Sequence, residues 1–362
     1  MSSIGDRVLQ RLEQFSPRPR HRDIAESVGM TPDAFSRALN GKRQFASIEL
    51  ARLAEQIGVD LYWLITGQPD PNGVSVAARH DFDHSSGQRT IPGRADDEPT
   101  LADIALAYRQ AYPEPGKLPD LSGSPASVRE ALGADFVRPF ADRLEKHLGI
   151  DVVRVAELST AYSFTVGGRP VIAVPATGNW FRENWDIAHE LGHLIMGHHD
   201  NGLTQSDADQ HEAAANAFAA ELLLPAADLK GVEWDWMGDD KLAGLVWSWG
   251  VSTDALCRRL SVVLGYTPKC VARWAASPTQ RLLRRHLPIE SELDEITSRM
   301  DAASQRRFPL SLQEAHLERV ASGVISTVTL AWMLGIDAAA LEVDSPEIPE
   351  VDVDDLASAL GL

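Results

Sequence analysis

The run D-I-A-H-E-L-G-H at residues 186–193 restricts this chain more than any other segment. Ile187, Ala188, Leu191, Leu194 and Ile195 give it the apolar body of a buried helix. His189 and His193 are four residues apart, so on a helix they lie one above the other on one face and can share one metal ion. Glu190 stands beside the first histidine, where a carboxylate can take a proton from a water that the metal activates. Gly192 leaves room for another backbone or a substrate to come close.

A zinc ion usually takes three protein ligands and a water, so two histidines leave the set one short. Five of the eleven histidines (His189, His193, His198, His199 and His211) fall within residues 189–211, which offers more than one completion. The spacing H-E-x-x-H-x-x-G-x-x-H puts the third ligand at His199. Its glycine position holds Met196, however, and Gly197 comes one place late, which counts against it. The better completion is Glu212, in H-E-A-A-A-N-A-F-A-A-E-L-L-L-P, if two antiparallel helices bring it onto the same ion. Asn216, one turn further on, would share that face and could support a ligand histidine's distal nitrogen. The plain alternative is an alanine-rich helix with a solvated glutamate. His211 is expected to point into solvent, and His198 to be a supporting or surface residue.

Around this segment the chain divides by composition. Residues 1–68 hold nine Lys/Arg against eight Asp/Glu, which leaves −19 of the net −18 for the remainder. A near-neutral head on an acidic body suggests a module with its own anionic partner. That head is predicted to be helical, with Thr31 as a helix cap, Pro32 at the first helical position and Gly41 as a stop. Residues 69–100 lose periodicity and are rich in Gly, Pro, Ser and Asp, the pattern of a flexible linker. Helices are expected over 101–112, 128–148 and about 211–224. Strands are expected at 151–155 and 163–174, the latter broken by a hairpin turn at Gly167, Gly168 and Arg169. Residues 231–362 read as a helical region of unassigned role. No run of eighteen apolar residues exists to span a membrane. The N-terminus lacks a secretory apolar core, and Cys257 and Cys270 have no metal-like spacing; together these point to the cytoplasm. The fold class read from the sequence is therefore mainly α with a small β-sheet.

The run A-H-E-L-G-H-L-I-M-G-H-H followed by E-A-A-A-N-A-F-A-A-E-L-L-L-P resembles the ImmA/IrrE metallopeptidases over about residues 101–230. P-V-I-A-V-P, just upstream, falls where that family has its β-hairpin. The resemblance implies a zincin-like core with zinc held by His189, His193 and Glu212 and with Glu190 as base. It also implies an endopeptidase that cuts helix-turn-helix repressors and so releases stress-response or mobile-element genes. Within the head, H-R-D-I-A-E-S-V-G-M-T-P-D-A-F-S-R-A-L-N-G-K-R resembles an Xre-type helix-turn-helix domain. Its second helix would enter operator DNA with Asp33, Ser36, Arg37 and Asn40 outward, and with Lys42 and Arg43 toward phosphates. Such heads commonly read two half-sites, so a homodimer is plausible.

For catalysis, residues 171–174 are expected to align an extended substrate along a sheet edge. Tyr162, His198, His199 and His211 are the candidates to stabilise an oxyanion. The competing function is a DNA-binding regulator, antitoxin-like in one version, whose peptidase-like domain senses or binds without cutting.

Overall fold

The computed structural model describes residues 3–13, 15, 18–57, 59, 61–68, 75–78, 81–83, 88–90, 94–198, 205–287 and 294–343. They fall into two units, Met1–Gly73 and Val74–Leu362. Together they are mainly helical with a small sheet. No described helix is long and apolar enough to cross a membrane.

The first unit contains α1 (Ile4–Glu13), α2 (His21–Ser27), α3 (Pro32–Leu39), α4 (Ser47–Ile57) and α5 (Leu61–Thr66). Each helix buries one apolar stripe, so Val8, Leu12, Ile24, Phe35, Leu53, Ile57 and Leu64 form one small core. α3 begins as its sequence predicts: the Thr31 side chain accepts from the amide of Ala34, and Pro32 opens the helix. Arg7, buried in α1, donates to the carbonyls of Leu64 and Ile65 and so satisfies the end of α5.

Among the described residues the second unit holds six strands: β1 (Ser75–Ala78), β2 (Asp81–Asp83), β3 (Gln88–Thr90), β4 (Asp151–Val155), β5 (Tyr162–Val166) and β6 (Arg169–Pro175). Before β4 come α6 (Arg94–Ala111), α7 (Pro125–Leu132) and α8 (Phe140–Leu148). After β6 come α9 (Trp180–Met196), α10 (Gln205–Leu223), α11 (Ala226–Lys230) and α12 (Asp239–Trp249). The rest are α13 (Thr253–Leu264), α14 (Lys269–Ala275), α15 (Thr279–His286), α16 (Glu295–Ser304), α17 (Leu310–Ala321) and α18 (Val328–Leu334).

One sheet runs in the order β1-β5-β6-β4, and β2 and β3 pair separately. β4 lies parallel to β6, while β5 is antiparallel to both β6 and β1. Successive side chains on a strand point to opposite faces, and the two cores follow that alternation. Val152, Ile172 and Val174 pack with α8, α9 and α10 on one face. Val153, Val171, Ala173, Tyr162 and Phe164 pack with α6, α17 and α18 on the other. Both faces are covered, which is why β4 and β6 read as near-continuous apolar runs.

Five expectations change. The helix expected over 128–148 is two, because α7 ends at Leu132 with Gly133 at positive φ and α8 begins at Phe140. Residues 171–174 do not line a sheet edge, because β6 is hydrogen-bonded to β4 on one side and β5 on the other. Within the expected linker, residues 75–78 form β1 and α6 begins at Arg94. Asp97 in its first turns is buried and accepts from the Ser159 amide, the Ser159 hydroxyl and the Tyr162 hydroxyl. An acidic first turn favours a helix start, and here it also supplies a buried hub. α10 starts at Gln205, six residues before the expected His211. Residues 231–343 are not a body apart: Trp247 and Ile296 share the core of α9, and the backbones of Arg307 and Arg154 exchange hydrogen bonds at the free edge of β4.

Arg154 also ties the sheet to α9. Its guanidinium meets both carboxylate oxygens of Glu183, and both side chains are nine-tenths buried. Breaking a buried pair leaves a charge without compensation. Arg154→Ala should therefore lower stability by about 3–5 kcal/mol in urea unfolding, whereas Arg154→Met with Glu183→Leu should recover most of it. A loss below about 1 kcal/mol for the single variant would mean that the pair does not anchor α9.

Candidate metal centre

α9 is capped at its start by the Asn179 side chain, which accepts from the Arg182 amide. Its next four turns are almost wholly buried, so His189, Glu190 and His193 are 2%, 0% and 3% exposed. The helix ends at Gly197, whose φ of +68° suits glycine, and the His198 amide returns to the His193 carbonyl at 3.0 Å. That end cap folds His198 back over the helix. The Nδ1 atoms of His193 and His198 lie 3.1 Å apart, and the His198 ring stacks on His211 with centroids at 3.7 Å.

α10 approaches α9 where Gly192 has no side chain. A Cβ there would stand 3.2 Å from Ala215 Cα and 3.2 Å from Phe218 Cβ. The close approach carries Glu212 to the two histidines. The Nε2 atoms of His189 and His193 are 3.2 Å apart, and Glu212 oxygens lie 3.3 Å from the first and 3.5 Å from the second. Four ligands at 2.0–2.1 Å from a tetrahedral ion stand about 3.3 Å from one another. The two distances to Glu212 come from its two different oxygens, and one donor atom from each residue lies within 4.8 Å of the others, close enough for the three to share a zinc-like ion. Among the described residues these are the His, Cys, Asp and Glu side chains so gathered. Burial alone would raise the Glu212 carboxyl, but the two histidines outweigh it and hold the group well below the usual carboxylate range. It is therefore an anion in the pH range where a metal ligand is needed.

Glu190 points to the sheet. Its Oε2 accepts from the Ser163 hydroxyl at 2.7 Å, and its Oε1 has no hydrogen-bond partner among the described residues. Ser163 pairs with Ile172 across β5 and β6, which puts it on the α9 face. Burial raises the Glu190 carboxyl, and the two histidines and Ser163 oppose that rise.

Other sequence candidates fall elsewhere. Tyr162 occupies the opposite face of the sheet and donates to Asp97, so it cannot meet an oxyanion at this centre. Asn216 makes no hydrogen bond to either ligand histidine among the described residues. His211 is half-buried against His198 rather than solvated. His199 lies outside the described residues. Ser163 was missed because a serine within an apolar strand carries no motif.

In the first unit, Asp33, Ser36, Arg37 and Asn40 are all exposed on α3, opposite buried Phe35, Ala38 and Leu39. Arg43 is committed to Glu49 through two bonds of 2.9 and 2.8 Å, and Glu49 also accepts from the Ala46 amide. Lys42 is exposed and carries no ion pair among the described residues.

Residues 145–261 match the family model described as the IrrE N-terminal-like domain, Peptidase M78. About a third of the chain is similar to a metallopeptidase domain. The matched segment runs from α8 to α13 and contains all three converging side chains and Glu190. Comparison with curated proteins and with solved structures yields no match.

If Gly192 sets the ligand geometry, Gly192→Val should push α10 away and weaken zinc binding by more than tenfold, a loss like that from removing a residue that supports a ligand. Competition with a chromophoric chelator measures this, and far-UV circular dichroism checks that the helices remain. Unchanged affinity would mean that the approach of the two helices does not set the ligand geometry.

Proposed function

We propose that the chain is a zinc-dependent endopeptidase with its own DNA-binding head, acting in the cytoplasm on a helix-turn-helix repressor. The observation that carries the enzymatic reading is the convergence of His189, His193 and Glu212 beside a buried carboxylate, one oxygen of which has no partner among the described residues. When bound, zinc would supply the Lewis acidity that makes water a nucleophile near neutral pH and polarises a peptide carbonyl. Ser163 holds one oxygen of Glu190 and leaves Oε1 to accept the proton of the attacking water. The same oxygen then returns the proton to the leaving amine. The apolar surroundings that raise the Glu190 carboxyl also make it a better base. His198 and His211 are the remaining described candidates to face a developing oxyanion. An extended substrate would meet the sheet on its β1 side, since β6 is enclosed.

Glu190→Gln should keep zinc and lose repressor cleavage by about 10²–10⁴-fold, the usual contribution of a positioned base. Incubating zinc-loaded wild type and variant with candidate repressors, followed by mass spectrometry of fragments, makes the comparison. Equal results from the two proteins would favour a regulator that binds without cutting.

The DNA-binding part rests on the exposed face of α3 and on Lys42 at its end. Arg43 is occupied by Glu49, so it serves the head's own structure before any phosphate. Lys42→Ala should weaken binding to duplex DNA uniformly across sequences and reduce the salt slope by about 1. Arg37→Ala should cost about 1–3 kcal/mol on the preferred sequence only. Fluorescence anisotropy across a salt series separates these outcomes. An unchanged affinity in both variants would remove DNA binding from the proposal.

A further inference from the structure

A second site lies at the opposite end of α9. A cavity of about 330 Å³, at the small end of the usual ligand range of about 300–1,000 Å³, opens between α8, β4, the start of α9 and α16. Arginines dominate its walls: Arg138, Arg154, Arg299, Arg306 and Arg307 face only Asp142 and Glu183. In a chain of net charge −18 this is an unusual concentration of positive charge.

The ion pairs account for only some of it. Arg154 is spent on Glu183, and Arg307 on Asp142 and Glu145. Arg306 uses one nitrogen on Glu157, while its Nη1 is buried with no acceptor among the described residues. Among the described residues Arg299 has no carboxylate partner: one nitrogen reaches the Val137 carbonyl at 3.2 Å, Nη1 is buried without an acceptor, and Cζ lies 3.8 Å from the Trp180 ring centre. Burial, and then the charge of Arg138, lower the Arg299 guanidinium to about 10. Arg138 itself is half-exposed, with Asp135 no nearer than 3.9 Å.

Two side chains in the walls of this cationic cavity each carry a buried donor without an acceptor among the described residues, a cost that a nearby anion would offset. We propose that this cavity binds a small oxyanion, a phosphate or a carboxylate, drawn by the guanidinium groups of Arg299, Arg306 and Arg138 in its walls. Trp180 and Glu183 belong to the first turns of α9, so such a ligand would bear on the helix that carries His189 and His193.

Isothermal titration of the full-length, zinc-loaded protein with inorganic phosphate, and separately with succinate, tests this at constant ionic strength. The expected result is one saturable site for at least one of the two anions, and which one binds names the ligand class. Arg299→Gln and Arg138→Gln should each weaken it, the first by about tenfold or more, as expected for a lost charge-assisted hydrogen bond. If Arg299→Gln does not fold, Arg138→Gln decides alone, since its side chain is half-exposed. No saturable binding of either anion at millimolar concentration overturns the proposal. Binding that persists unchanged in the folded variants does so too, because it then lies elsewhere, at the zinc for example.

Discussion

Two helices can place donors around one small ion only if their backbones come close, and here that closeness depends on a single missing side chain. Gly192 lies between the two histidines of α9, and Ala215 and Phe218 of α10 fill the space a Cβ would need. Glu212 sits one turn before Ala215 and is thereby brought to the imidazoles. Even a Cβ at Gly192 would stand tighter than ordinary van der Waals contact, so a larger residue there has to displace α10. Chemistry at this centre thus depends on a packing contact that is not itself chemical.

The rest of the second unit keeps α9 in place. Arg154 reaches from the edge strand β4 to Glu183 at its start, and Ser163 reaches from β5 to Glu190 in its middle. Gly197 and His198 close its end. Helices from residues 231–343 pack against its outer side, so the region beyond the matched segment belongs to the body that holds the site. Two cationic features stand out from the acidic surface: the exposed end of α3 and the arginine cavity beside Trp180. They lie in different units and differ in kind, one an exposed helix face and the other a small open cavity.

Much of this was legible in the residues, for identifiable reasons. β4 and the β5–β6 hairpin showed through because apolar runs bounded by Gly167 and Gly168 leave few alternatives. Glu212 could be reached by counting: zinc wants a third ligand, and the next helix offered a carboxylate in an alanine-rich stretch. What stayed hidden depends on distant pairings. Nothing near Arg154 announces Glu183, 29 residues on, and nothing in Y-S-F-T-V marks Ser163 as a partner for Glu190. The acidic, proline-containing start of α6 looked like linker because its purpose, a buried Asp97 hub, exists only once β5 is in place. The order of strands was likewise invisible, and with it the fact that β6 has no free edge.

X-ray absorption at the zinc edge of the loaded protein tests the central claim most directly. The account predicts a first shell of nitrogen and oxygen at about 2.0–2.1 Å, with the multiple-scattering signature of two imidazoles and one further light-atom ligand lost in Glu212→Gln. A sulfur shell at about 2.3 Å, or a spectrum unchanged by Glu212→Gln, would contradict it.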